Sequence, residues 1–415
     1  MTQLKPAPAV DLQDERLRKR SEGLPGIVGE FFRRVRTGDI GSLPIVIGLF
    51  IIWGVFQALN PYFLSSANLT NLLLECAAVG TISIGVVMVL LVAEIDLSVG
   101  SMSGVASAIL GVGLTQAGWS VWVAMGVALL AGVVTGVVYS MIYIKFGVPS
   151  FVITLAGLLG LLGLQLKILG KNGSINIPFD TWIVRFTQQM FLPDVASYVV
   201  VAACVALFVV AEIMKIRRRS AAGLSTPSLA AIIAGAITFL VIGEAAAWYL
   251  NRTRGIGASF LLFLGLVVVM NFALKRTQWG RSVYAVGGNE EAARRAGIKV
   301  SRVYLTTFVL GTTFAALGGL LSAGRLATAS ISSGVGDTNL NAIAAAVIGG
   351  TSLFGGRGNV YSALLGILVI ASISSGLTLL SLDSSIRFMI TGGVLMLAVI
   401  VDSVSRRTRA AHGRA

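Results

Sequence analysis

Two carboxylates and a hydroxyl stand at alternate positions in Ala93-Glu-Ile-Asp-Leu-Ser-Val-Gly100, with apolar runs on both sides. An ionisable pair at membrane depth can hold a gate, take part in coupling or meet a polar solute, and its presence there points to function. A plainer role is also open: Asp96 or Ser98 can cap the helix that follows, and Glu94 can hold the break in shape through hydrogen bonds. A second break, Gly349-Gly-Thr-Ser-Leu-Phe-Gly-Gly-Arg-Gly358, carries Thr351 and Ser352, whose hydroxyls either shape a tight turn or line a pore. Gln165, Asn339 and Asn341 add neutral hydrogen-bonding groups of the kind a polyhydroxylated solute could pass without being held tightly.

Other chemistries lack material. The single histidine, His412, lies in the polar C-terminal tail, which leaves no paired-histidine metal site and no Ser-His nucleophile. Cys76 and Cys204 are far apart in apolar stretches, so neither a disulfide framework nor a CxxC site follows from them. Without a convincing catalytic constellation, a membrane-embedded enzyme is a poor reading. A nucleotide phosphate needs a loop of the form Gly-x4-Gly-Lys-Ser/Thr; Gly170-Lys171-Asn172 lacks the leading glycine and the hydroxyl. No cofactor or metal is therefore expected on this chain.

The charged loop from Lys275 to Arg302 contains Gly287-Gly-Asn-Glu-Glu-Ala-Ala-Arg-Arg-Ala-Gly297. Asn289 is suited to the N-cap, Glu290 and Glu291 to the positive end of the helix dipole, Arg294 and Arg295 to its negative end, and Gly297 to the stop. The pattern predicts a short exposed helix, with Ala292 and Ala293 keeping it thin enough to enter a groove on a partner. Alternatively, it lies on lipid headgroups with no partner.

The elements that must position these residues follow from composition. Of 415 residues, 55% are hydrophobic and 12% charged, and the mean hydropathy is +0.87. A soluble domain carries roughly 25% charged residues, so an all-α polytopic membrane protein is expected. Twelve full or partly broken spans are predicted at 43–59, 71–93, 98–116, 120–144, 149–169, 197–214, 229–250, 258–274, 303–323, 339–354, 360–380 and 386–402. The breaks at 93–100 and 349–358 fall in corresponding places of the two halves, as an internal repeat around a pathway would put them. Residues 1–42 read as a polar tail, with an interfacial helix or plain coil over 24–36, and 405–415 as a basic tail. With both termini cytoplasmic, 25 of the 32 basic residues fall on the cytoplasmic side. The formal charge of +14 then reflects lipid headgroups rather than nucleic acid.

The loop 287–297 resembles the coupling helix of ABC-importer permeases, Glu291-Ala-Ala293 matching its Glu-Ala-Ala core. The strings Ala93-Glu-Ile-Asp-Leu-Ser-Val-Gly-Ser101, Val148-Pro-Ser-Phe-Val-Ile-Thr-Leu-Ala-Gly157, Tyr284-Ala-Val-Gly-Gly-Asn289 and Ala342-Ile-Ala-Ala-Ala-Val-Ile-Gly-Gly-Thr-Ser352 resemble the monosaccharide branch of that family, over about residues 43 to 404. An extra helical pair around 197–250 is similar to the D-xylose type rather than to shorter ribose-type members. The resemblance implies a homodimeric permease in the bacterial inner membrane. It also implies a cytoplasmic ATPase carrying ATP and magnesium, a periplasmic sugar-binding protein, and a monosaccharide as substrate: D-xylose, or else ribose, galactose, arabinose or another small polyol. An ion-coupled secondary sugar transporter is the rival from another class, and the capped short helix argues against it.

Overall fold

The computed structural model describes residues 43–383 except 225, 227 and 228, with scattered positions between 385 and 400. The tails 1–42 and 405–415 lie outside the described residues, as does most of the span expected at 386–402. Helices come first in the order α1 (Leu43–Leu59), α2 (Ser66–Leu91), α3 (Val99–Thr115), α4 (Val121–Phe146) and α5 (Ser150–Leu169). A short strand β1 (Ser174–Asn176) and α6 (Trp182–Gln188) follow, then α7 (Asp194–Ala221), α8 (Leu229–Asn251) and α9 (Ala258–Arg276). The chain continues through α10 (Gln278–Gly288), α11 (Glu290–Arg295), α12 (Val300–Leu326), β2 (Thr328–Ser330), α13 (Asp337–Ile348) and α14 (Tyr361–Leu379).

Among the described residues eight helices, α2, α4, α5, α7, α8, α9, α12 and α14, are long and apolar enough to cross a bilayer. The α1 and α3 helices are apolar but have 17 residues each. The span expected at 339–354 is narrower than its hydropathy suggested. It is a 12-residue helix, about 18 Å long. Gly336 (φ 79°) precedes it, and Gly350 (φ 101°) turns the chain just beyond its end.

The core is built on α2, the most buried of the long helices, and on α12, which is as buried as α14, with α3 and α4 packed against α12. Lipid is as apolar as a leucine side chain, so close van der Waals packing rather than the hydrophobic effect must hold these helices together. Small residues make that contact possible. Gly132 and Gly136 of α4 lie on the backbone of α12 at Thr312 and Val309, and the Thr312 hydroxyl donates to the Gly132 carbonyl at 2.7 Å. Large apolar side chains instead cover the outside of α4 and α5, where Leu130, Val134, Phe151 and Leu159 are exposed.

At one end of this bundle β1 pairs antiparallel with β2, Ile175 opposite Ala329. Gln188 of α6 closes the same end by donating to the Gly324 and Arg325 carbonyls. The opposite end gathers the C-termini of α2 and α4, the N-termini of α5 and α12, and α10 and α11. Residues Leu192–Gly255 form a separate compact unit. Within it α7 and α8 run antiparallel, with Gly243 against Val201, Phe208 edge-on to Phe239, and Asn251 donating to the Ser197 hydroxyl at 2.8 Å. Glu212 pairs with Lys215 at 3.2 Å.

Candidate functional site at the α11 end

The short helix expected from 287–297 forms as α11, and local chemistry accounts for it. The Asn289 side chain accepts from the Ala292 N–H at 2.9 Å. Glu290 pairs with Arg294, and Glu291 with Arg295 at 3.0 Å. Gly297 ends the helix with φ 82°. Glu291, Ala292, Arg294 and Arg295 are exposed. Ala293 is not, at 4% exposure, and it belongs to the bundle's own core. That corrects the expectation of two alanines offered to a partner: Ala292 faces outward, while Ala293 seats the helix on its own chain, where a larger side chain would not fit.

A polar chain leads inward from α11. Tyr304 of α12 donates its hydroxyl to Glu290 Oε2 at 3.1 Å. Its ring lies 4.7 Å from that of Tyr143 on α4, and the Tyr143 hydroxyl donates to Glu94 Oε1 at 2.6 Å. The hydroxyl oxygen of Ser150, at the start of α5, accepts from the Ile95 N–H at 3.3 Å. These groups line a cavity of about 550 Å³ that reaches from Glu94 to Glu290 and Arg294. Burial pushes the Glu94 carboxyl above its usual range, partly offset by hydrogen bonds from Ser150 and Tyr143. Ala93, just before it, sits in the left-handed region at φ 64°, which costs a residue with a Cβ about 1 kcal/mol.

Beyond Glu94 the break climbs into the bundle. Asp96 is 3% exposed, and its Oδ1 accepts from both the Ser98 N–H and the Ser98 hydroxyl at 2.7 Å. Tyr139 donates to the Ser98 hydroxyl at 3.0 Å. Ser98 occupies the N-cap position of α3 but makes no side-chain cap bond. Asp96 therefore braces the turn into α3 rather than capping its first N–H groups.

The two breaks meet. The Gly356 N–H donates to the Leu91 carbonyl at 2.9 Å. Gly287 of α10 lies against the same carbonyl, so close that an added Cβ would stand 1.8 Å from it. Tyr284 donates to the Gly358 carbonyl at 2.8 Å. Ser352 accepts from Phe354 N–H at 3.2 Å and shapes the turn, whereas the buried Thr351 hydroxyl has no partner among the described residues. The remaining candidates lie deeper. Gln165 donates to the Ser330 and Ser333 carbonyls at 2.9 Å, and Asn339 to the Leu97 carbonyl at 2.9 Å. The side-chain oxygens of Gln165, Asn339 and Asn341 have no partner among the described residues. These three are thus apart from α11, and two of them tie the chain around α13 to α3 and α5. Sequence reasoning passed over Tyr143 and Tyr304. Tyr139 and Tyr143, four apart at the end of one span, put two phenols on one helix face and could have signalled the cluster.

The profile of the transport family described as "Branched-chain amino acid transport system / permease component" matches residues 66–400. The chain is 35% identical to the xylose transport system permease protein XylH of Escherichia coli over 363 residues, 88% of this chain and 90% of that protein. It is 32% identical to XylH of Haemophilus influenzae, covering 90% of this chain and 99% of the relative. With the ribose import permease protein RbsC of Bacillus subtilis the identity is 30%, covering 88% and 94%. No solved structure matches the chain. A polytopic helical bundle, matched by this profile over residues 66–400 and by xylose and ribose permeases over 86% to 90% of its length, belongs to the ABC transport permease family, in its ribose and xylose branch.

Proposed function

We propose that this chain is the membrane-spanning subunit of an ATP-driven D-xylose importer. Two copies form the pathway, a separate cytoplasmic ABC ATPase holds ATP and magnesium and docks on the exposed face of α11, and a periplasmic sugar-binding protein delivers sugar at the strand end. The observation that carries the reading is the construction of α11. Its outer face is charged and free, and its inner face is rooted through Ala293 and the Glu290–Tyr304 bond in the place where both breaks of the bundle meet. Force applied to such a peg reaches the non-helical segments without deforming a long helix, because packed cores transmit displacement rather than absorbing it. D-xylose is the substrate that the more similar relatives' names suggest, at 35% and 32% identity against 30% for the ribose permeases. The test is a panel of purified sugar-binding proteins, each loaded with its sugar, added to the reconstituted permease and ATPase. The xylose-loaded protein should give the largest stimulation of ATP hydrolysis. Stronger stimulation by the ribose-loaded protein would reassign the substrate.

A further inference from the structure

The chain between β2 and α13 is non-helical, polar and exposed, yet it lies within the depth of the bundle. Ala329 of β2 packs on Gly111 of α3, and the Ser333 carbonyl lies on Gly104, about 10 Å further along that helix. The Gly334 carbonyl and Asn339 reach Gly100. Gln165, which holds Ser330 and Ser333, is about 22 Å along α5 from Ser150 at the α11 end. Residues 331–337 thus descend from the strand end towards mid-bundle.

Lipid cannot cover this segment. Among the described residues nothing accepts from the N–H groups of Ser332, Gly334 and Gly336, and no side chain caps the start of α13. Ser332 and Asp337 are exposed in the single chain, as are Val335 at 40% and Leu340 at 50%. Unsatisfied backbone and an ionisable side chain at membrane depth are tolerated only where protein or water covers them. A second copy in dry contact near a two-fold axis would bring Asp337 towards its own equivalent, and like carboxylates repel. Water avoids both penalties. We infer that residues 331–337 line the water-filled sugar pathway of the assembled importer, with the Asp337 carboxylate accepting hydrogen bonds from sugar hydroxyls and Ser332 and the Gly336 N–H donating to sugar oxygens. The inference rests on the proposed function for the two-copy importer and for the identity of the solute.

The test places single cysteines at Ser332→Cys and Asp337→Cys, with Leu159→Cys on the outer face of α5 as the lipid-facing reference, in a Cys204→Ser background. Cys76 is buried and serves as the blank. Permease reconstituted with its ATPase is treated with a membrane-impermeant, trimethylammonium-bearing methanethiosulfonate, which attacks only hydrated thiolates. Both pathway positions should react about tenfold or more faster than Leu159→Cys. Reaction as slow as at Leu159→Cys, or reaction that appears only once the two copies are separated, overturns the inference. In a second measurement, Asp337→Asn should lower the D-xylose delivered per ATP hydrolysed by about tenfold, the loss expected for one hydrogen bond to a charged group. An unchanged ratio removes Asp337 from the pathway. Fast labelling in a complex that transports no D-xylose supports the pathway and refutes the sugar assignment alone.

Discussion

Replacing Gly287 with alanine should separate the loop that carries α11 from the two breaks it touches. The added Cβ would stand 1.8 Å from the Leu91 carbonyl oxygen and 2.7 Å from the Gly356 nitrogen. Both are backbone atoms, so no side-chain rotation relieves the clash, and α10 must part from the junction by more than an ångström. Overpacking of this kind costs about 1–3 kcal/mol. The Gly356 N–H to Leu91 bond, 2.9 Å long, lies in the path of the displacement and contributes about 1 kcal/mol more if it breaks. A junction weakened by about 2 kcal/mol is populated about thirtyfold less against its opened alternative. Gly288→Ala is the matched control, since its Cβ would meet nothing within 4 Å. The assay is ATP hydrolysis stimulated by the sugar-loaded binding protein, together with sugar uptake, in proteoliposomes containing equal amounts of each permease. Gly287→Ala should lose uptake relative to ATP turnover, and Gly288→Ala should follow the unmodified protein. Equal behaviour of the two variants would refute the claim that this backbone contact joins α11 to the breaks.

Within α11, Ala293→Leu should lower the thermal stability of the permease, since the site has no room for the added volume, by about 1–3 kcal/mol. Ala292→Leu should leave stability alone and weaken co-purification of the ATPase; the reverse pattern would show that the faces are misassigned. In the first break, Asp96→Asn keeps an acceptor for the Ser98 N–H and hydroxyl and should transport nearly normally, whereas Asp96→Ala loses both bonds, worth about 1–3 kcal/mol locally. Loss of uptake in Asp96→Asn at normal protein level would assign the charge itself to gating. Tyr304→Phe removes the donor to Glu290 Oε2 while keeping the ring on Tyr143. It should reduce coupled uptake with normal membrane insertion, and a variant with unchanged uptake per ATP would take that bond out of the coupling route.

The long helices were legible because apolar runs of bilayer length leave few alternatives. The α11 helix was legible because every part of its local chemistry is written in nine residues, from Asn289 to Gly297. Its rotation was not: six residues with two adjacent alanines have no apolar period to say which one faces in, and the burial of Ala293 depends on core residues distant in sequence. The span expected at 339–354 ran too long because Leu353 and Phe354 keep the hydropathy high after the backbone has left the helix at Gly349. The two glycine and carboxylate breaks were visible as interruptions, but their meeting at Leu91 and Gly356 is a tertiary contact between strings more than 250 residues apart. Asp337 was passed over for a related reason. It reads as the polar edge of a span, and only the contacts of Ser333 and Gly334 with α3 place it at depth.

ATP-dependent D-xylose uptake into proteoliposomes tests the central claim most directly. The vesicles would contain this permease, the ABC ATPase and the external binding protein, with no ion gradient and ATP sealed inside. The account requires accumulation that stops when the ATPase, the binding protein or ATP is left out, and no ATP hydrolysis by the permease alone. D-xylose accumulation by the permease alone, driven by a proton or sodium gradient and indifferent to ATP, would contradict it and make the chain an ion-coupled carrier.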